Sequence, residues 1–167
     1  MRRFTRVVPC LLLLTSCVTA AHAQTASGGQ ATASPQETAR REELQKLYLS
    51  YLKGEGYVPE LTSTGDVTFK YQGGKYAILI DGKDPNYFRL VYVLKLGPNL
   101  DRPRMLEAAN KAEIGTKAAK VLITPETLII AAELYLKDSS DFSAVFVRAL
   151  SSIQVATRTY FEEMKKS

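Results

Sequence analysis

Apolar residues recur along this chain at two different spacings, and the two spacings occupy separate blocks. After Ser34-Pro35-Gln36-Glu37, a helix-start signal with a serine cap, the apolar residues recur three and four positions apart. They are Leu44, Leu47, Tyr48, Tyr51 and Leu52. The same spacing returns after Asp138-Ser139-Ser140-Asp141 and gives the stripe Phe142, Phe146, Ala149, Leu150, Ile153, Thr157, Tyr160 and Met164. We therefore predict one amphipathic helix at each end of the folded region.

Between these helices the apolar residues alternate with polar ones, which is typical of strands. The predicted strands are Val67–Tyr71, Tyr76–Ile80, Tyr87–Leu96, Lys117–Thr124 and Thr127–Leu136. A short helix capped by Asp101 is predicted from Arg102 to about Lys111. The order is α-β-β-β-α-β-β-α. Because short turns join consecutive strands, we expect an α+β fold with a single twisted, mostly antiparallel sheet, and with the first and last helices on one face.

Each strand presents two sets of side chains, because successive residues point to opposite faces. One set is almost wholly apolar and is expected under the two long helices. The other set mixes apolar and basic residues, a combination typical of protein interfaces with an apolar centre and a polar rim. We predict that it contacts a second copy or another partner through Arg89, Val91, Val93, Leu122, Ile129 and Tyr135. Aspartate at Val91 or Val93 is then expected to abolish association and keep the fold, whereas Leu90→Asp unfolds the domain. In the alternative interpretation, the short middle helix covers part of this face.

The N-terminus has the pattern of an export signal. A basic start is followed by a short apolar run and by Ala21-His22-Ala23, which fits a signal-peptidase site. We predict a signal peptide over residues 1–23, a flexible linker over 24–36 and one α+β domain over 37–166. The expected location is the periplasm or cell envelope. The alternative is a lipoprotein, because Leu14-Thr15-Ser16-Cys17 resembles a lipobox, and only lipidation at Cys17 would place the protein on a membrane.

Composition narrows the chemistry once the signal peptide is removed. Both cysteines, the single histidine and three of the 22 basic residues lie in the first 23 positions. The remaining chain therefore has no Ser-His-Asp or Cys-His machinery and no imidazole or thiolate metal ligands. It also has no dense basic segment of the kind that binds nucleic acid. We expect no enzymatic activity, no cofactor, no metal site and no nucleic-acid partner.

Two polar clusters could still carry chemistry. The loop Asp81-Gly82-Lys83-Asp84-Pro85-Asn86 offers oxygen ligands, but these residue types are also the ones that a tight connection favours, and we interpret the loop as a turn. Ser139, Ser140 and Asp141 lack the spacing of a Ser-Lys hydrolase and are interpreted as a helix cap. Glu133, inside an apolar strand, is either buried with a raised pKa, or it faces solvent or pairs with Lys120 across the hairpin. We favour the second interpretation.

Three segments resemble the YbjN domain family, which shares the fold of type III secretion chaperones. They are VTFKYQGGKYAILIDGKDPNYFRLVY, AANKAEIGTKAAKV and DFSAVFVRALSSIQVA, within a likeness that covers about residues 38 to 165. The resemblance implies a non-enzymatic α+β module that binds proteins and often dimerises. Because secretion chaperones work in the cytoplasm, the predicted export signal does not fit that particular role. The alternative function is an envelope module that binds a small or lipid ligand in a pocket between sheet and helices, or a weak carboxylate-based hydrolase.

Overall fold

Helix α1 begins where the capping signal predicts. The computed structural model describes residues 33–98 and 100–166, so the predicted signal peptide and most of the predicted linker lie outside the described residues. Helix α1 spans Pro35–Gly54, with proline in its first turn. The Ser34 hydroxyl accepts a hydrogen bond from the Glu37 backbone N–H at 3.2 Å. Two residues that the sequence analysis assigned to the linker, Pro35 and Gln36, therefore belong to this helix.

The strands in the part of the chain that the structure describes join one antiparallel sheet, in the spatial order β1-β2-β3-β4-β6-β5. The strands are β1 Glu60–Leu61, β2 Val67–Tyr71, β3 Gly74–Leu79, β4 Tyr87–Lys95, β5 Ala119–Ile123 and β6 Thr127–Tyr135. Helix α2, Arg102–Ile114, precedes β5, and helix α3, Phe142–Lys165, follows β6 after a 3₁₀ turn. The predicted α+β class and element order are confirmed. The two-residue strand β1 is an addition that no alternating pattern indicated.

The hairpin between β2 and β3 turns through Gln72 and Gly73. Both residues have positive φ, 47° and 79°, as a tight two-residue hairpin turn requires. The pair Tyr71↔Gly74 closes the turn, so Gly74 is already part of β3. The strand therefore starts two residues earlier than the sequence analysis placed it, and Lys75 becomes a strand residue.

The three helices of the described ranges pack on one face of the sheet around a core rich in aromatic residues. Tyr48 of α1 and Phe142 of α3 meet edge to face, with ring centroids 4.7 Å apart. Tyr48 also lies 6.1 Å from Phe88 of β4, and Phe146 lies 5.7 Å from Phe69 of β2. Both predicted helical stripes thus pack against the predicted apolar strand set, with some members, such as Leu47 and Met164, only half-buried. Burial raises the pKa of Tyr48 to about 12.

Helix α2 shares this core. It packs against α3 and against β5, and its buried residues, Met105, Ala108, Ala109 and Ala112, lie on its inner side. Three of them join the cluster that contains Ala119 and Val121, the β5 residues under the helices. The middle helix therefore lies on the same side as α1 and α3. The alternative that it covers the second face of the sheet does not agree with these contacts.

The two edges of the sheet are protected in different ways. At the β5 edge, the Val121 backbone N–H donates to Glu113 Oε1 of helix α2 at 2.7 Å. The Arg102 guanidinium lies 3.4 Å from the Ile123 carbonyl oxygen on the same strand. At the other edge, β1 covers β2 only at two register pairs, Glu60↔Thr68 and Leu61↔Val67. Short or covered edges limit pairing with a further strand.

The loop between β3 and β4 anchors the start of α1. Asp81 Oδ1 accepts a hydrogen bond from the Lys83 backbone N–H at 2.9 Å, and the Tyr87 N–H donates to the Asp84 carbonyl. This geometry agrees with the interpretation of the loop as a turn. A Cβ atom at Gly82 would lie 2.7 Å from the Glu37 carbonyl oxygen, so the helix approaches the loop too closely for a side chain there.

Candidate partner-binding face

The strand side chains that point away from the helices form a continuous surface, which we call the outer face. On the central strands it consists of cross-strand pairs between β4 and β6: Tyr87↔Tyr135, Arg89↔Glu133, Val91↔Ala131, Val93↔Ile129 and Lys95↔Thr127. On β5, Leu122 lies beside Ile129 and Lys120 lies beside Ala131. All six predicted contact residues therefore lie on one surface. Their role in binding stays a prediction.

An exposed apolar row crosses this face. It consists of Val93, Ile129 and Leu122, which are direct neighbours across β4, β6 and β5. Val93 is 47% exposed and Leu122 is 42% exposed, while Ile129 between them is half-buried. Three adjacent apolar side chains remain partly exposed to water, which is unfavourable, and a partner could bury them.

Val91 differs from the other predicted contact residues because it is buried. Only 2% of its surface is exposed, and its cross-strand neighbour Ala131 is completely buried. The pair Ala77↔Val91 continues the row of small residues into β3. With 2% of its surface exposed, Val91 cannot contribute much contact area. The sequence analysis expected Val91→Asp to leave the fold intact because it treated Val91 as accessible. That premise is wrong, since Val91 is buried.

An ion cluster occupies the next row of the outer face. Arg89 Nε lies 2.9 Å from Glu133 Oε1, and Lys120 Nζ lies 2.5 Å from Glu133 Oε2. The pairing of Glu133 with Lys120 across the β5–β6 hairpin was predicted and is confirmed. The Arg89 Nε–H is not aimed at the carboxylate, so its contact is ionic rather than a well-aligned hydrogen bond. Two cations thus share one carboxylate.

Electrostatics keep Glu133 ionised. Burial of its carboxylate acts to raise its pKa, but hydrogen bonding by Lys120 and Tyr87, with the charges of Lys120 and Arg89, outweighs burial and holds the pKa below its ordinary value. A general acid at neutral pH needs the opposite shift. Beside the cluster, the Tyr87 and Tyr135 rings lie 5.1 Å apart, and Tyr135 is 81% exposed.

Three lysines complete the face and form no ion pair within 4 Å in the part of the chain that the structure describes. Lys70 and Lys75 are directly opposite each other on β2 and β3, and Lys95 lies at the far end of β4. The sequence analysis missed Lys75 and Tyr87 as members of this face. Alternation with Phe88 would have found Tyr87, which already lies in the predicted strand Tyr87–Leu96. Alternation with Tyr76 would have found Lys75, had the predicted strand been extended by one residue.

The remaining polar clusters have structural partners. Asp138 Oδ1 accepts from the Ser140 backbone N–H at 2.9 Å and from the Ser140 hydroxyl at 2.5 Å, at the turn that leads into α3. The cap is thus Asp138, within the segment that the sequence analysis assigned to capping. Among residues 33–98 and 100–166, no three His, Cys, Asp or Glu side chains gather as metal ligands would.

The domain also has surface clefts. One, of about 610 Å³, runs between the segment after α1 and strand β2 and is lined by Tyr57, Phe69 and Tyr71 together with Glu55, Glu60, Lys70 and Lys75. Its lining is mixed rather than apolar. None of the helices in the described ranges has the length and apolar character of a membrane span.

Comparisons with known proteins connect the fold to solved structures. No protein-family model matches the chain, and no curated protein matches its sequence. A crystal structure of YbjN, a proposed transcription regulator from E. coli, is 15% identical with a TM-score of 0.52, over 69% of this chain and 87% of that chain. A crystal structure of an uncharacterized protein from Methanothermobacter thermautotrophicus is 15% identical with a TM-score of 0.45, over 72% of this chain and 94% of that chain.

The class of protein that these features define is an α+β domain with one antiparallel sheet and its helices packed on one face. Within this class, the arrangement is that of YbjN, so the chain has a YbjN-like fold. This confirms the resemblance found in the sequence. At 15% identity the likeness concerns the fold alone.

Proposed function

We propose that this protein is a non-catalytic, exported module of the cell envelope that binds protein partners through the outer face of its sheet. The observation that carries the proposal is the exposed row Val93, Ile129 and Leu122, bordered by charged side chains on the same face. Apolar residues at the centre of a patch and charges at its rim are the composition of protein-binding surfaces. The predicted homodimer is one way to cover this row.

The polar side chains considered for catalysis support a non-enzymatic role. Glu133 is held by two cations and is ionised, Asp81 accepts a backbone N–H in its turn, and Asp138 caps the turn before α3. Each group has a structural partner, and the pKa values of Glu133 and Asp138 are lowered, whereas a general acid at neutral pH needs a raised pKa. The predicted location after export rests on the N-terminal sequence alone.

Site-specific photo-crosslinking tests the proposal. A photoreactive phenylalanine analogue replaces Leu122 in the full chain, expressed in the native host, and crosslinked products are resolved by mass after irradiation. We expect a discrete protein adduct, either a second copy or another protein, because Leu122 lies in the exposed row. An analogue at Leu106 is the matched control, since Leu106 is a similarly exposed leucine, 51% against 42%, on helix α2.

The possible results of the crosslinking experiment distinguish the proposed function from its alternative. Adducts from position 122 and none from position 106 support the outer face as the contact surface. Equal adducts from both positions indicate nonspecific proximity and contradict the proposal. Absence of any protein adduct at position 122, while a lipid or small-molecule adduct forms, supports the alternative function of ligand binding.

A further inference from the structure

The charges of the outer face identify the kind of partner that fits it. Its strand side chains include five basic residues, Lys70, Lys75, Arg89, Lys95 and Lys120. They include two acidic ones, Glu60 at the β1 edge and Glu133 in the ion cluster. Glu133 neutralises part of the charge of Arg89 and Lys120. The lysines on β2, β3 and the end of β4 have no such counter-charge within 4 Å among the described residues.

The excess of positive charge on the outer face is most concentrated at the pair Lys70↔Lys75. Two like charges directly opposite each other on neighbouring strands destabilise a sheet. An acidic group that binds between them removes this repulsion, so the free domain carries a local electrostatic cost that a negatively charged partner would relieve. The unfavourable pair in the unbound protein therefore points to an acidic ligand.

The apolar row lies beside these lysines. Adjacent strands are about 4.8 Å apart, so the path from Leu122 across Ile129 and Val93 to the lysine pair on β3 and β2 is about 19 Å long. An extended polypeptide rises about 3.3 Å per residue, and a segment of about six residues covers that distance. Its apolar side chains can meet the row while its carboxylates meet the lysines.

We propose that the outer face binds an acidic protein segment in which carboxylate and apolar residues are mixed. This inference rests on the proposed function and names the chemistry of the partner. A second copy of the chain is a poor fit, because a two-fold contact would bring the unpaired lysines against a face of the same sign. Nucleic acid lacks apolar side chains for the exposed row, and Glu133 at the centre of the face repels phosphates.

Fluorescence anisotropy with a defined probe tests the inference. The probe is a labelled peptide of about 12 residues composed of glutamate and leucine in equal numbers, which extends to about 40 Å. We expect saturable binding to the full protein that weakens as salt rises. The double variant Lys70→Glu/Lys75→Glu is expected to weaken binding by at least about tenfold. Leu122→Ser is expected to weaken it severalfold, through loss of apolar contact.

The control variant carries the same change in net charge on the helices. Lys46→Glu/Arg148→Glu alters two exposed residues on α1 and α3 and is expected to change binding by less than about twofold. If both double variants weaken binding equally, the probe responds to net charge and the inference is wrong. If a peptide with lysine in place of glutamate binds as well, the acidic preference is absent, although the proposed function survives.

Other occupants give distinct results. If phosphatidylglycerol vesicles or a single-stranded DNA of similar length bind more tightly than the peptide, and lose binding in the Lys70→Glu/Lys75→Glu variant, the partner is not a protein segment. If sedimentation shows a wild-type dimer that Leu122→Ser dissociates, a second copy occupies the face. Either result overturns the acidic segment. The crosslinking experiment at Leu122 then decides separately whether the proposed function also fails.

Discussion

Aspartate substitutions at one inward-facing position of β4, Leu90, and at two outward-facing positions, Val91 and Val93, test the assignment of the two faces of this strand. Leu90 is completely buried under the helices, Val91 is 2% exposed on the outer face, and Val93 is 47% exposed on that same face. Alternation alone would group Val91 with Val93. Burial instead groups Val91 with Leu90. We therefore expect Val91→Asp to behave like Leu90→Asp and unlike Val93→Asp.

The magnitude follows from the burial of Val91. A carboxyl with no water around it can have its pKa raised by about 3 to 5 units, which brings it near or above neutrality. At pH 7 the burial of that carboxyl, whether ionised or protonated, costs about 4 kcal/mol of folding free energy. This follows from a pKa shift of about three units at about 1.4 kcal/mol per unit. Loss of a buried valine side chain adds about 2 kcal/mol. The total of about 6 kcal/mol consumes much or all of a typical domain stability of about 5–15 kcal/mol.

Val93→Asp should be mild by the same reasoning. About half of the valine is already in water, so its replacement costs about 1 kcal/mol, which lowers the melting temperature by about 4 °C. Circular dichroism melts of the three variants at pH 7, with a wild-type reference, decide the matter. A Val91→Asp variant that melts within a few degrees of Val93→Asp would refute the argument, because it would mean that this residue is solvated. Unfolding of all three variants would equally contradict the exposure of Val93.

Three further predictions concern the helix anchor, the ion cluster and the N-terminus. Gly82→Ala should destabilise the fold by about 1–3 kcal/mol in urea titrations, because its Cβ has no room, whereas Gly97→Ala, with nothing within 4 Å, should be neutral or slightly stabilising; equal effects would contradict the close approach of α1. The pKa of Glu133 is lowered, so its cluster stabilises the folded state above the ordinary carboxyl pKa of 4.5 and loses this contribution as pH falls through the lower folded value. Glu133→Gln should therefore flatten the dependence of stability on pH below about 4.5, and an unchanged slope in acid titrations would show that the cluster does not act. Intact mass of the exported protein should give an N-terminus at Gln24; an acylated Cys17 would place the protein on a membrane instead.

The sequence predicts the fold well where a pattern is long. The stripe of α3 and the alternation in β4 each extend over enough residues to fix both the element and its buried side. The sequence analysis did not predict strand β1, because two residues cannot show alternation. The start of β3 was misplaced because Gly73 and Gly74 together have the pattern of a turn, whereas the turn is formed by Gln72 and Gly73.

The outer face could be predicted only in outline. Alternation gives the side of the sheet on which a residue lies, and it placed Val93, Leu122 and Ile129 together. It does not give burial, which depends on the tertiary surroundings of each residue. Val91 is 2% exposed and lies between Ala77 and Ala131 in the register of the sheet, whereas Val93, two residues along on the same side, is 47% exposed. That relation appears only when the strands are in register.

The protected edges of the sheet limit how this protein can polymerise. Where Glu113 occupies the Val121 N–H, an incoming strand would have to displace the protein's own carboxylate before it could form its first hydrogen bond. At the opposite end, β1 has only two residues with which to template growth. Runaway stacking of the kind that produces fibrils is therefore obstructed at both ends of the sheet. The chain can leave apolar side chains in water on a broad surface without that surface becoming a route to aggregation through the backbone.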